Sequence, residues 1–212
     1  MARGLFITFE GGDGAGKSTQ VERLAARLME QGLAVVLTRE PGGTPGGERL
    51  RHLLLDKYAP DWSPVSEALL NYAARDLHLR NVIRPALAKG AAVISDRFHD
   101  STRAYQGHAG GVDGAFLAAL ERAVIGETMP DLTFVLDIAP ADAAARATAR
   151  RGSAATDRFE ARDRSFQDAL RAAFLAIARA EPQRCKVIDA ARDPDTVAAD
   201  IWRHVEPALH SR

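Results

Sequence analysis

A strand, a glycine loop and a helix, in that order, constrain this chain more than any other feature. Leu5-Phe6-Ile7-Thr8-Phe9 is a short apolar run, and Val21, Leu24 and Leu28 repeat with helical spacing. Between them lies Glu10-Gly11-Gly12-Asp13-Gly14-Ala15-Gly16-Lys17-Ser18-Thr19, which fills every fixed position of the phosphate-loop pattern G-x-x-x-x-G-K-[ST]. Glycines allow successive backbone N–H groups to turn towards a polyphosphate, and the helix N-terminus adds its partial positive charge. Lys17 is placed to reach β- and γ-phosphates, and the Ser18 hydroxyl to ligate Mg²⁺. Gly11 to Thr19 are therefore expected to bind ATP, with Mg²⁺ arriving on the nucleotide. A glycine-rich turn that merely contains a lysine is the bland alternative, and it does not require strand and helix on the correct sides.

The rest of the chain repeats the alternation. Apolar runs at Ala34–Leu37, Ala91–Ser95, Leu132–Leu136 and Cys185–Ile188 are separated by segments of helical period. Ser63-Pro64 has helix-start chemistry, and Leu69, Leu70, Ala73 and Leu77 are expected to point inward from that helix. Pro85 should kink or divide the helical stretch that follows. The expectation is one domain of 212 residues: a three-layer α/β/α phosphate-loop NTPase fold on a five-stranded parallel sheet.

Charge and cysteine content narrow the function classes. Lys+Arg and Asp+Glu both count 28, so no excess charge draws the chain to nucleic acid or membrane. Cys185 is the one cysteine, which excludes an intramolecular disulfide and reads as a buried strand thiol. No signal-peptide hydrophobic region or bilayer-length apolar run is present, so the expected compartment is the cytoplasm.

Asp96-Arg97 ends the third apolar run, where open α/β sheets place ligand chemistry. Asp96 can hold Mg²⁺ through water or orient an acceptor phosphate, and Arg97 offers a donor fork suited to a phosphate dianion. The surrounding run, Asp96-Arg97-Phe98-His99-Asp100-Ser101-Thr102-Arg103-Ala104-Tyr105-Gln106-Gly107, closely resembles a signature of thymidylate kinases. Thr38-Arg39-Glu40-Pro41-Gly42-Gly43-Thr44 resembles that family's second signature, and the likeness runs over essentially the whole chain. The resemblance implies transfer of a phosphoryl group from Mg·ATP to dTMP, in a homodimer. It implies that Arg97 and Arg51 bind the acceptor phosphate, with Glu40 arranging phosphate and metal waters. Arg75, Thr102 and Gln106 would address the thymine edge, Ser101 would line the acceptor site, and Tyr105 would crowd out a 2′-hydroxyl.

Two positions depart from the family pattern. An aromatic residue that stacks on thymine usually stands four positions before the equivalent of Arg75, and here it is Asn71. Asn71 shares a helix face with Arg75 and can offer hydrogen bonds but no ring, while Tyr72 lies about 100° further round. Some relatives also carry an arginine inside the phosphate loop, where this chain has Gly14. The transition-state arginine is then expected from a lid at about 150–162, with Arg158 first and Arg150 and Arg151 in reserve.

Other phosphate-loop readings compete. A deoxynucleoside kinase would differ in acceptor. A GTP-binding switch needs N-K-x-D, which neither Asn71 nor Asn81 begins. A partitioning-type ATPase usually carries a second lysine early in the loop, where this chain has Gly12.

Overall fold

The computed structural model describes residues 3–210 except 57, 59, 152–158, 160 and 161, and of Arg150 and Arg151 the backbone alone. Five strands form one parallel sheet: β1 (Phe6–Glu10), β2 (Val35–Arg39), β3 (Ala92–Asp96), β4 (Leu132–Asp137) and β5 (Cys185–Asp189), in the order β2-β3-β1-β4-β5. The central strand β1 is buried along its whole length, which is why its sequence is a continuous apolar run rather than an alternation. Its one polar interior residue, Thr8, shares a 2.7 Å hydrogen bond with Thr133 of β4. The sheet register sets Phe9 beside Asp96, so the ends of β1 and β3 open onto the same ground.

Helices cover both faces, giving the expected α/β fold. On one face α1 (Lys17–Glu30) and α9 (Pro194–His210) bury Val21, Leu24, Leu28, Ile201, Trp202 and Val205. On the other lie α3 (Pro64–His78), α4 (Arg84–Ala88) and α6 (Gly114–Val124), with Phe6, Ile83, Phe98 and Leu117 in their core. Helix α8 (Arg164–Ala180) packs Leu170, Phe174 and Ile177 near β4 and β5, where Cys185 is buried as its position suggested. The remaining α-helices are α2 (Pro45–Leu55), α5 (His99–Thr102) and α7 (Pro140–Arg151). No helix among the described residues is long and apolar enough to cross a membrane.

Local chemistry accounts for the boundaries. Ser63 caps α3 by accepting from the Ser66 N–H at 3.1 Å, and Pro64 occupies the first turn. Pro85 does not divide its stretch: Leu79–Ile83 passes from α3 to α4 as a π turn, a shift of ladder register next to a residue that has no N–H to donate.

The inward face of α3 corrects the sequence expectation. Leu69 is 48% exposed and Ala73 is exposed, while Leu70 and Leu77 are only half-buried. Glu67, Ala68, Tyr72, Ala74, Arg75 and His78 are buried instead. A hydrophobic stripe fails to predict the buried face here because that face supports a cleft, where polar groups are buried by pairing with one another.

Candidate active site

The glycine loop leaves β1 through three residues of positive φ, Gly11 (130°), Gly14 (83°) and Gly16 (89°), and enters α1 at Lys17. Side chains resist these angles, so the glycines fix the loop path. Lys17 is buried and donates from Nζ to the carbonyls of Gly11 (3.1 Å) and Gly12 (2.9 Å), 3.7 Å from the Asp13 carboxylate. Burial, and then the nearby Arg97 charge, push its pKa below the ordinary lysine value. Ser18 Oγ donates to Asp96 Oδ2 at 3.0 Å, which brings the two candidate Mg²⁺ ligands together. Both are hard oxygen donors suited to that ion. Among the described residues no group of three or more His, Cys, Asp or Glu is placed to hold a metal. Beside the loop, a cleft of ≈ 340 Å³ runs from Gly14–Gly16 past Thr19 to Arg146, Arg192 and Pro194. Arg146 is held there by the Ala190 and Ala191 carbonyls at 2.7 and 2.9 Å.

Gly14 has a second constraint. A Cβ at this position would lie 2.1 Å from the Ala143 carbonyl oxygen of α7. A side chain at position 14, arginine included, is thus opposed by close packing of α7 as well as by backbone angle.

Across β3 the site changes character. Arg97 is the one non-glycine residue of positive φ among the described residues (70°), and this turn sends its side chain back over the loop. Its Nη1 donates to Gly11 O (3.1 Å) and Ser101 Oγ (3.2 Å), and its Nη2 to Asp13 Oδ1 (2.7 Å). Its guanidinium also stands over the Tyr105 ring, 5.3 Å from the centroid. A second cleft lies beyond, walled by Glu40, Arg51, Asn71, Arg97, Ser101, Thr102, Tyr105 and Gln106.

That cleft is held by side chains from distant parts of the chain. Buried Glu40 accepts from Arg75 Nε at 2.8 Å and meets His78 Nδ1 at 3.0 Å, while His78 Nε2 lies 2.5 Å from Thr38 Oγ1. Arg75 Nη2 donates to Phe98 O and Thr102 Oγ1 at 3.1 and 3.2 Å. Its Nη1 is buried without a hydrogen-bond partner, and Arg75 stands behind the cleft wall rather than in it. Gln106 Nε2 donates to Glu67 Oε2 (2.8 Å), and Arg51 Nη1 to Pro41 O (2.9 Å). Asn71 reaches the cleft wall but commits its amide N–H to the Glu67 carbonyl one turn back, at 2.9 Å. Tyr105 and Gln106 sit on a π-helical segment, Arg103–His108, that directly continues α5.

Some expected residues fall elsewhere. Tyr72 is buried in the α3–α6 core under the Arg75 guanidinium, 4.6 Å from its ring centroid, and is absent from the cleft wall. Arg158 and most of the lid expected at about 150–162 lie outside the described residues, as do the side chains of Arg150 and Arg151. Sequence reasoning passed over Glu10, Glu67, His78 and Phe159. Phe159 lines the second cleft with its ring 5.4 Å from Tyr105 in an edge-on contact. Arg162, Arg164 and Arg171 border a further cavity of ≈ 470 Å³ that reaches Gly11–Asp13. Only the position of Glu10, directly before the glycine loop, could have signalled a role.

The family model for thymidylate kinase matches residues 9–201. The chain belongs to the thymidylate kinase family. It is 54% identical over 201 residues to the thymidylate kinase of Caulobacter vibrioides, covering 95% of each chain. It is 53% identical over 207 residues to that of a Bradyrhizobium species, covering 98% of this chain and 92% of the relative. Among solved structures, the thymidylate kinase of Ehrlichia chaffeensis matches with a TM-score of 0.78 and 34% identity, over 96% of this chain and 99% of that one. The structural match supports the parallel-sheet fold, and the clefts on either side of Asp96-Arg97 lie within the matched segment.

Proposed function

We propose that this thymidylate-kinase-family chain transfers the γ-phosphoryl group of Mg·ATP to dTMP, giving dTDP and ADP. One observation carries the reading. Asp96 and Arg97 are consecutive: Asp96 accepts from Ser18 of the phosphate loop, while Arg97, bonded to Gly11 and Asp13 of the same loop, also lines the second cleft. Donor and acceptor phosphates are thereby bound one residue apart.

Phosphoryl transfer leaves the protein mainly positioning and charge neutralisation. Backbone N–H groups of the loop and Lys17 hold the donor phosphates, and the cleft along Arg146 and Arg192 takes the adenosine end. Ser18 and Asp96 would hold Mg²⁺, which neutralises phosphate charge when bound. Arg97 and Arg51 hold the acceptor phosphate. Thr102 and Gln106, backed by Arg75, meet the thymine edge, and Tyr105 lies against the sugar where a 2′-hydroxyl would crowd it. The arginine acting on the transferring group comes from the lid, with Arg158 the first candidate.

The active form is a cytoplasmic homodimer. Leu53 of α2, with Val65 and Leu69 of α3, are 49%, 44% and 48% exposed on two helices that pack together. An apolar surface of this kind suits a second copy. Leu69→Asp is expected to shift the protein from dimer to monomer in sedimentation velocity, and an unchanged dimer would move the interface elsewhere.

An ADP-release assay with Mg·ATP and dTMP, dUMP, dCMP, dGMP, dAMP or thymidine tests the activity. Turnover highest with dTMP is expected. Turnover with thymidine but no monophosphate would replace this reading with a nucleoside kinase.

A further inference from the structure

Glu10 is wholly buried at the end of β1, one residue before the glycine loop, and it lines none of the clefts described above. Its Oε1 accepts the backbone N–H groups of Phe98 (2.8 Å) and Ser101 (3.1 Å). Its Oε2 accepts the Ser101 hydroxyl at 2.6 Å. That short O–H···O distance falls in the range of a bond to an ionised acceptor. The hydroxyl proton is therefore committed to Glu10. The free lone pairs of Ser101 Oγ are left for Arg97 Nη1, 3.2 Å away, and a guanidinium can only donate.

We propose that Glu10 is a positioning residue which acts through the Ser101 hydroxyl to aim the Arg97 guanidinium at the acceptor phosphate. The inference rests on the reading of Arg97 as an acceptor-phosphate ligand.

The backbone supports the same chain of contacts. A non-glycine residue at φ 70° costs energy and persists only where its surroundings impose it. Arg97 N–H donates to Phe9 O at 2.9 Å, and Ser95 Oγ donates to Arg97 O at 2.7 Å. The next peptide N–H is the one that Glu10 takes. Phe9, Glu10 and Gly11 each receive one bond from the Arg97 turn, so the strand that feeds the glycine loop also sets the acceptor arginine.

A neutral amide of the same shape reverses the hydroxyl. With Gln at position 10, an N–H directed at Ser101 would take up its lone pairs and turn the hydroxyl proton towards Arg97, donor against donor. Protonating Glu10 has the same effect. Burial and then Asp100 raise its pKa, Arg97 and the bonds from Ser101 and Phe98 pull it back, and it stands at about 7. Lys17 from α1, Arg75 from α3 and Cys185 from β5 also lie within electrostatic reach of this carboxyl.

The test is steady-state kinetics of Glu10→Gln, Ser101→Ala and the double variant, with dTMP and ATP varied separately. Each single change is expected to raise KM for dTMP about tenfold, the scale of one charge-assisted hydrogen bond, with KM for ATP within about twofold. The double variant should be no worse than the weaker single, because both break one relay. The parent-to-Gln ratio of kcat/KM should fall as pH drops below 7, and dTMP's own ionisation cancels in that ratio. Additive losses, an equal rise in both KM values, or a flat ratio would each overturn the proposal. Should Glu10→Gln fail to fold, a cycle of Ser101→Ala with Arg97→Lys reads the same relay, with coupling supporting it and additivity refuting it. Separately, failure of every acceptor in the activity panel would remove the kinase reading itself.

Discussion

The two halves of the site are built from different materials. The donor half is mostly backbone: three glycines of positive φ and a helix N-terminus, with Lys17 and Ser18 in the same eight residues and Asp96 bonded to Ser18. The acceptor half is almost entirely side chain, tied across the chain by Glu40 to Arg75, Glu67 to Gln106 and Arg97 to Asp13. A backbone site can lose a functional side chain and keep its shape. A site made of buried ion pairs cannot, because each partner removed strands the other in low dielectric.

The largest expected effect lies in the donor half. Lys17→Ala should reduce turnover on the order of 10³-fold or more while leaving the melting temperature close to the parent's, since the ammonium's hydrogen bonds go to loop carbonyls and its ion pair is to the half-exposed Asp13. A large loss of stability would mean the donor half depends on its side chains too. Next, Arg158→Ala should lower kcat by up to about 10³-fold with little change in either KM. If Arg150, Arg151 and Arg158 can each be replaced with kcat nearly intact, the lid supplies no such arginine.

In the acceptor half, activity and stability should fall together. Arg75→Ala leaves the Glu40 carboxylate and His78 buried without their cation, which costs about 3–5 kcal/mol and lowers the melting temperature by roughly 10 °C. Calorimetry of Arg75→Ala beside Lys17→Ala tests the contrast directly, and equal melting temperatures would abolish it. Glu10 adds a pH signature. Its folded-state pKa is raised to about 7 from 4.5, so between those values the folded protein keeps a proton that the unfolded chain has lost. Its contribution to stability is complete below about 4.5 and is lost as pH rises through 7, by at most roughly 3 kcal/mol. The stability difference between parent and Glu10→Gln should shrink over that window, and a constant difference would assign the carboxyl an ordinary pKa.

The smallest expected change concerns Asn71. Asn71→Phe should lower KM for dTMP by an amount worth about 0.5–1.5 kcal/mol, one aromatic contact. A raised KM in a folded enzyme would mean that the amide, or the ring of Phe159, already serves the base.

Legibility followed the same division. The glycine loop, the strand alternation and Asp96 at a strand end are local patterns, so spacing alone located them. Arg51, Arg75 and Gln106 carry no local signal, and only likeness to a family nominated them. Leu69 and Ala73 were misread because periodicity reports amphipathicity without saying which face is buried, and the polar face of α3 is the inner one. Glu10 was quoted as part of the loop and left without a role. What gives it one, the Arg97 turn, lies 87 positions away and exists only once β1 and β3 are neighbours.

The packing of Ala143 over Gly14 couples two distant parts of the chain. A chain with α7 seated on the loop cannot acquire a loop arginine by one substitution, because the first carbon of any side chain meets a carbonyl oxygen. Moving α7 aside would shift Arg146 with it. The residue at position 14 and the seat of α7 are thus one choice rather than two, and a change in either is expected to unseat the other.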